Sequence, residues 1–212
     1  MPGTVQDADR RLTARGAATR ARIVAAADEL MSLKGATATT LDDVIAASGT
    51  SKSQLYRHFP DKSALALAVV ARRGGRVLER EEQYLQRVDS FSGLDRWCRA
   101  ILQRVTVRRG ARGCELGALS TEVSDHDEAA RIDLDEHLTT WISLLTAVLE
   151  RMRANGMLAE DADPRTLATG IMAALQGGYV LAQAARDPGP MRIALELAMD
   201  SVRVHAKVPA RR

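Results

Sequence analysis

Residues 40–63 read TLDDVIAASGTSKSQLYRHFPDKS, and the spacing within this stretch decides the fold. Thr40 is a residue type that caps helix N-termini, and Asp43 three positions later completes a capping-box pattern. Leu41, Val44 and Ile45 recur at helical spacing and predict a core-facing stripe. Ser48-Gly49-Thr50 breaks that spacing, and Gly49 can take the left-handed conformation that ends a helix. Ser51 opens a second capping box with Gln54. Two short helices over 41–47 and 52–57, joined by a tight turn, make a helix-turn-helix whose second helix is shaped for the DNA major groove. Pro60-Asp61 then starts a longer helix, with Asp61 as N-cap and Leu65, Ala68 and Val69 turned inward.

Upstream, a first helix is predicted over Thr19–Lys34, with Ile23, Ala27 and Leu30 as its apolar stripe and Gly35 closing it. The motif residues are Ile23, Ala27, Leu30, Gly35, the run Thr40–Ala46, Gly49, Ser51-Lys52, Leu55-Tyr56, His58-Phe59, Asp61-Lys62 and Leu65. In identity and spacing they resemble the N-terminal DNA-binding domain of the TetR family of bacterial transcription regulators. Thr50 departs from that pattern, because the family usually has an apolar residue there, most often valine; the threonine methyl keeps much of the bulk. The resemblance implies an all-α fold: an N-terminal three-helix helix-turn-helix domain and a C-terminal helical ligand-binding and dimerisation domain. The expected divisions are a basic arm over 1–16, the DNA-binding domain over 17–62, the effector and dimerisation domain over 63–206, and a tail over 207–212. The implied function is a ligand-responsive regulator, by family expectation a repressor. It would bind a palindromic double-stranded DNA operator as a homodimer and be released by a small-molecule effector. The alternatives are a helical dimer with only non-specific DNA affinity, or an activator on the same fold.

Bulk properties agree with helices. The 212 residues suffice for one or two domains with a real core. Hydrophobic residues make up 46% but aromatics only 3%, with Ala and Leu abundant and alternating β-branched runs missing. No proline lies between Pro60 and Pro164, so long helices are unobstructed there. A net charge of +3 permits nucleic-acid binding without demonstrating it. Residues 10–22 carry Arg10, Arg11, Arg15, Arg20 and Arg22 with no acid, which reads either as a phosphate-contacting arm or as a solvated tail. Cys98 and Cys114 lack metal or redox spacing, and are read as small buried hydrophobes, with a thiol sensor as the alternative. No signal peptide or membrane-length apolar run is evident, so a cytoplasmic protein is expected.

No cofactor, metal or catalytic centre is expected. His58, His126, His137 and His205 are scattered, and no metalloprotease, nucleophile-elbow, phosphate-loop or dinucleotide pattern occurs. Asp125-His126-Asp127-Glu128 reads as a helix cap in preference to a metal site. Further helices are predicted out to Arg87, across Gly74-Gly75, and at 93–109, 115–123, 127–154, 164–186 and 190–206. The segment RGARGCELGALSTEVSD (109–125) is similar to one seen in some TetR-type effector domains.

Within the motif, Thr39 and Thr40 can offer hydroxyls and N–H groups to a phosphate. Lys52 and Lys62 are phosphate candidates, with a guanine edge as the alternative for Lys52. Gln54 can pair with an adenine edge, Ser51 or Ser53 can reach base or backbone, and Tyr56, Arg57 and His58 are further phosphate candidates. A solvated face is the alternative for each. Leu55 and Phe59 are read as core anchors. Leu167, Ile171, Ala174, Gly178, Leu181 and Ala185 form an apolar seam, which Leu195, Ala198, Met199 and Val202 extend on the last helix. It is read as the dimer interface, with packing inside one subunit as the alternative. The resemblance places an effector among the C-terminal helices, with Trp97, Leu102, Trp141, Leu145, Met152, Met157, Gln176 and Tyr179 as candidate contacts; core filling is the alternative for each.

Overall fold

The computed structural model describes residues 13–110, 113–117 and 128–207, which form eight α-helices and no strand. They divide into two compact units, Met1–Val69 and Val70–Arg212. In the first unit, α1 (Ala14–Lys34) begins ahead of the expected Thr19 because Thr13 caps it, its hydroxyl oxygen accepting the Gly16 N–H at 3.2 Å. Arg15, Arg20 and Arg22 are exposed on this helix, while Arg10 and Arg11 lie outside the described residues. Then come α2 (Leu41–Ser48) and α3 (Lys52–His58), followed by α4 (Lys62–Leu85), whose first two turns belong to this unit. Ile23, Ala27, Val44, Leu55, Phe59, Leu65 and Val69 form one buried cluster, with Leu30, Leu41 and Ile45 packed at its margin.

The turn between α2 and α3 is locally specified. Gly49 sits at φ 61°, ψ 31°, the left-handed conformation that favours glycine. Thr50 is buried beneath the turn, and its hydroxyl pairs with Ser48 Oγ at 2.7 Å. The hydroxyl thus has a partner despite its burial.

The second unit holds the rest of α4, then α5 (Phe91–Val107), α6 (Glu128–Ala154), α7 (Pro164–Ala185) and α8 (Gly189–Val204). α4 runs unbroken through Gly74-Gly75. The two glycines differ: a Cβ on Gly74 would overlap the His137 ring of α6, whereas one on Gly75 would meet nothing. Arg151 of α6 donates to the carbonyls of Leu85 at 2.7 Å and Val88 at 2.9 Å, satisfying the end of α4. The helix expected at 115–123 and the Asp125–Asp127 run fall mostly or wholly outside the described residues.

The seam expected between subunits is packed inside this chain. Leu167, Ile171, Gly178, Leu195, Ala198, Met199 and Val202 are buried, Ala174 is half-buried, and only Leu181 and Ala185 of that set are exposed. Gly178 does admit a close helix, but the helix is α8 of its own chain. A Cβ there would stand 2.9 Å from Met191 Sδ and 3.2 Å from Ala194 Cβ. Leu181 of that seam joins other exposed apolar side chains: Val180 beside it on α7, and Ile193, Leu197 and Val204 on α8.

Candidate nucleic-acid interface

Both helices of the motif begin with a complete capping box. Thr40 Oγ1 accepts from the Asp43 N–H at 3.1 Å while Asp43 Oδ2 accepts from the Thr40 N–H at 2.9 Å. Asp43 also takes Lys34 Nζ at 2.6 Å. That lysine, then the Thr40 hydroxyl and N–H, hold the Asp43 carboxyl far below the usual carboxylate range. On α3, Ser51 Oγ accepts from the Gln54 N–H at 3.3 Å and Gln54 Oε1 accepts from the Ser51 N–H at 2.9 Å.

These bonds sort the expected contacts. Ser51 at the cap and Lys52, Ser53, Gln54, Tyr56 and Arg57 on α3 are all exposed, around the buried Leu55. Lys52 Nζ stands 6.0 Å from the Tyr56 ring centre, a cation over an aromatic face. His58 is half-buried, and burial, then the charges of Arg20 and Arg57, lower its pKa below the ordinary imidazole value. Three residues are committed elsewhere. Thr39 is buried and its hydroxyl donates to the Gly35 carbonyl at 2.7 Å, so it offers a phosphate no side-chain donor. Lys62 Nζ donates to the Thr37 carbonyl at 2.9 Å. Gln54 has its oxygen in the cap, which leaves its Nε2 as the group free to reach a base; a bidentate adenine contact would break the cap. Sequence reasoning missed the role of Arg20, whose guanidinium stacks 5.0 Å from the Phe59 ring centre and holds positive charge beside His58. A lone arginine two helices away carried no signal of that contact.

Comparison with known proteins decides the family. The profile described as "Bacterial regulatory proteins, tetR family" matches residues 23–69, and that of the "Tetracyclin repressor-like, C-terminal domain" matches residues 91–198. This chain belongs to the TetR family of transcriptional regulators. It is similar to the HTH-type transcriptional regulator LmrA of Bacillus subtilis, 25% identical over 81% of this chain and 90% of that protein. It is also similar to the HTH-type transcriptional repressor NemR of Escherichia coli K12, 26% identical over 84% of this chain and 90% of NemR. The crystal structure of reduced E. coli NemR superposes with a TM-score of 0.73 over 91% of this chain and all of that one (100%), at 26% identity. A TetR-family regulator from Cytophaga hutchinsonii shares the fold with a TM-score of 0.80 over 94% of this chain and 99% of its own, at 18% identity.

Within the TetR-type C-terminal unit, the candidate effector residues do not all converge. Trp141 and Tyr179 line one small cavity between α4, α5, α6 and α7, together with Arg80, Arg104, Arg108 and the segment around Cys114-Glu115. Trp97 is core: its Nε1 donates to the wholly buried Glu81 at 2.7 Å. Leu145 and Met152 are also core, Met157 is exposed, and Leu102 lines a separate surface groove between α5 and α8. Gln176 is half-buried, its Nε2 directed at Met172 Sδ at 3.4 Å. The arginines of the cavity, Arg80, Arg104 and Arg108, were not identified from sequence, although Arg104 and Arg108 lie one helical turn apart. Burial raises the pKa of both thiols, that of Cys98 to about 12, so both stay protonated near neutral pH. Among the described residues no helix is long and apolar enough to cross a membrane, and no group of histidine, cysteine and acidic side chains is placed to hold a metal ion.

Proposed function

We propose that this TetR-family regulator is a repressor that binds a palindromic operator as a homodimer and leaves it when a small molecule binds the C-terminal unit. The observation that carries the DNA reading is α3 itself: capped at its start, anchored by Leu55, and exposing Lys52, Arg57, Tyr56, two serines and Gln54 Nε2. Lysine and arginine on such a helix neutralise phosphates and supply most of the affinity, while Gln54 and the serines supply selectivity. Lys52 and Arg57 have no carboxylate partner among the described residues, so their charge is available to DNA. Two-fold symmetry is supported by the exposed apolar side chains Val180, Leu181, Ile193, Leu197 and Val204 on the two packed helices α7 and α8, since clustered apolar exposure marks interfaces. Release by a ligand requires only that the ligand prefer the conformation that does not fit DNA.

The test is footprinting of the full-length protein on the DNA flanking its own gene, followed by affinity measurement on the protected sequence. A palindromic footprint bound about 10³-fold more tightly than random duplex is expected. Equal affinity for any duplex would refute the operator reading.

A further inference from the structure

We infer that the surface groove between α5 and α8 binds an aromatic monocarboxylate of the size of benzoate, an inference that rests on the proposed ligand response and gives it a site. Every residue lining the groove is among the described ones, and its free volume is about 170 Å³. An enclosed cavity of about 150 Å³ admits benzene, so a single ring fits this space. The floor is apolar: Leu195 and Met199 of α8 are buried, and Cys98 and Leu102 of α5 are half-buried. Burial, then the charge of Asp95, raises the Cys98 thiol to about 12, so it stays neutral and brings no charge to that floor. The exposed apolar side chains Ile193, Leu197 and Val204 lie on another face, about a third of a turn around α8.

Two features choose the ligand, and the first is charge. The rims carry Arg99, Arg192 and Arg203 against Asp95 and Glu196. Arg192 Nη1 donates to both oxygens of Glu196, at 2.8 and 3.0 Å, and Arg203 is held by Asp95 at 2.7 Å and by Asp200 at 3.0 Å. Both acids of the groove are therefore paired, whereas Arg99 has no carboxylate partner among the described residues. One guanidinium beside an apolar floor suits one carboxylate on an apolar body, and a second negative charge would face Asp95 and Glu196. The second feature is sulfur. Cys98 and Met199 bring two sulfur atoms to the lining, and sulfur gains more from an aromatic ring than from a saturated one. The guanidinium plane of Arg99 can stack on the same ring.

Methyl NMR of the full-length protein with labelled methionine tests this at constant ionic strength, with the Met199 signal assigned by Met199→Leu. The probes are benzoate, its neutral isostere benzamide and its saturated counterpart cyclohexanecarboxylate. Benzoate should shift the Met199 signal saturably. It should bind about two- to fivefold more tightly than benzamide and about two- to tenfold more tightly than cyclohexanecarboxylate. Arg99→Gln, at an exposed position, should weaken benzoate about two- to fivefold and leave benzamide unchanged. A Met199 signal that benzoate does not move, equal binding of benzamide or of cyclohexanecarboxylate, or an Arg99→Gln protein that binds benzoate like the parent would each overturn the assignment. Binding of the footprinted operator is measured on the same samples, and saturating benzoate should weaken it. Unchanged operator affinity would overturn the part of the groove in the ligand response. Specific DNA binding without the Met199 shift defeats only the groove site, whereas absence of specific DNA binding in the ligand-free parent defeats the regulator reading.

Discussion

Gln54 is assigned two tasks, capping α3 and reading a base, and two substitutions separate them. Gln54→Ala removes the oxygen that accepts the Ser51 N–H at 2.9 Å and the Nε2 donor together. Gln54→Glu keeps an acceptor at the third helical position, where a carboxylate also suits the positive end of the helix dipole, and removes only the donor. On stability, the alanine variant should lose about 0.5–1 kcal/mol, one exposed hydrogen bond, while the glutamate variant stays near the parent. On DNA, both lose the Nε2 contact, worth about 1–3 kcal/mol or roughly 5- to 150-fold in affinity. The glutamate variant should be the weaker binder, because its charge faces phosphates. Stability is measured by urea denaturation followed by circular dichroism and by tryptophan fluorescence. Both tryptophans, Trp97 and Trp141, lie in the C-terminal unit, so a transition seen only by circular dichroism belongs to the DNA-binding unit. DNA affinity is measured by fluorescence anisotropy on the footprinted operator and on a scrambled duplex. A Gln54→Glu protein that discriminates operator from scrambled DNA like the parent would refute the base-reading role. Equal stability of Gln54→Ala and the parent would refute the capping role.

The adjacent glycines of α4 should respond in opposite directions. Gly75→Ala meets open space and should stabilise by about 0.5–1 kcal/mol, whereas Gly74→Ala should destabilise by about 1–3 kcal/mol and be relieved by His137→Ala, read from tryptophan-monitored urea curves. His58 has its pKa lowered in the folded protein, so its contribution to stability is fully present above the ordinary value of 6.5 and is lost as pH falls from there through the lower folded value. A phosphate beside the ring reverses that shift, so operator affinity should rise as pH falls from about 7.5 to 5.5, and His58→Gln should flatten the rise in anisotropy titrations. Leu181→Asp combined with Leu197→Asp places charges on an exposed stripe, leaving each chain folded but weakening self-association at least tenfold, as read by sedimentation or light scattering.

What could be read from the sequence follows the reach of each interaction. The capping boxes at Thr40–Asp43 and Ser51–Gln54 link residues three apart, and Gly49 ends its helix by its own backbone freedom, so the two helices of the motif and their turn were legible from local spacing. The seam on α7 was legible as apolar but not as to its partner. Helical spacing records that a face is covered, and Gly178 receives Met191 of its own chain as readily as it would another subunit. Thr39 next to Thr40 shows the limit even inside the motif. Both look like phosphate donors, yet one side chain turns inward to the Gly35 carbonyl. The cluster of Glu81 with Trp97 and Arg104 joins residues 16 and 23 positions apart, with no fixed spacing to announce it.

That cluster bears on why the C-terminal unit is built as it is. Apolar side chains of equal volume often stabilise a core as well as a wholly buried carboxylate held by arginines and an indole N–H, because the cost of desolvating the charge offsets the attraction. Stability alone therefore does not account for it. Its position does: Glu81 fixes two guanidiniums, those of Arg80 and Arg104, at the wall of the small cavity between α4, α5, α6 and α7. Held arginines present their charge without reorganising when a ligand arrives, as preorganised binding sites do. On this reasoning Glu81→Gln should retain the Trp97 bond yet leave Arg80 and Arg104 without their charged partner, lowering stability by about 1–3 kcal/mol in tryptophan-monitored urea curves. A Glu81→Gln protein as stable as the parent would show that the charge of the buried carboxylate does not hold the two arginines.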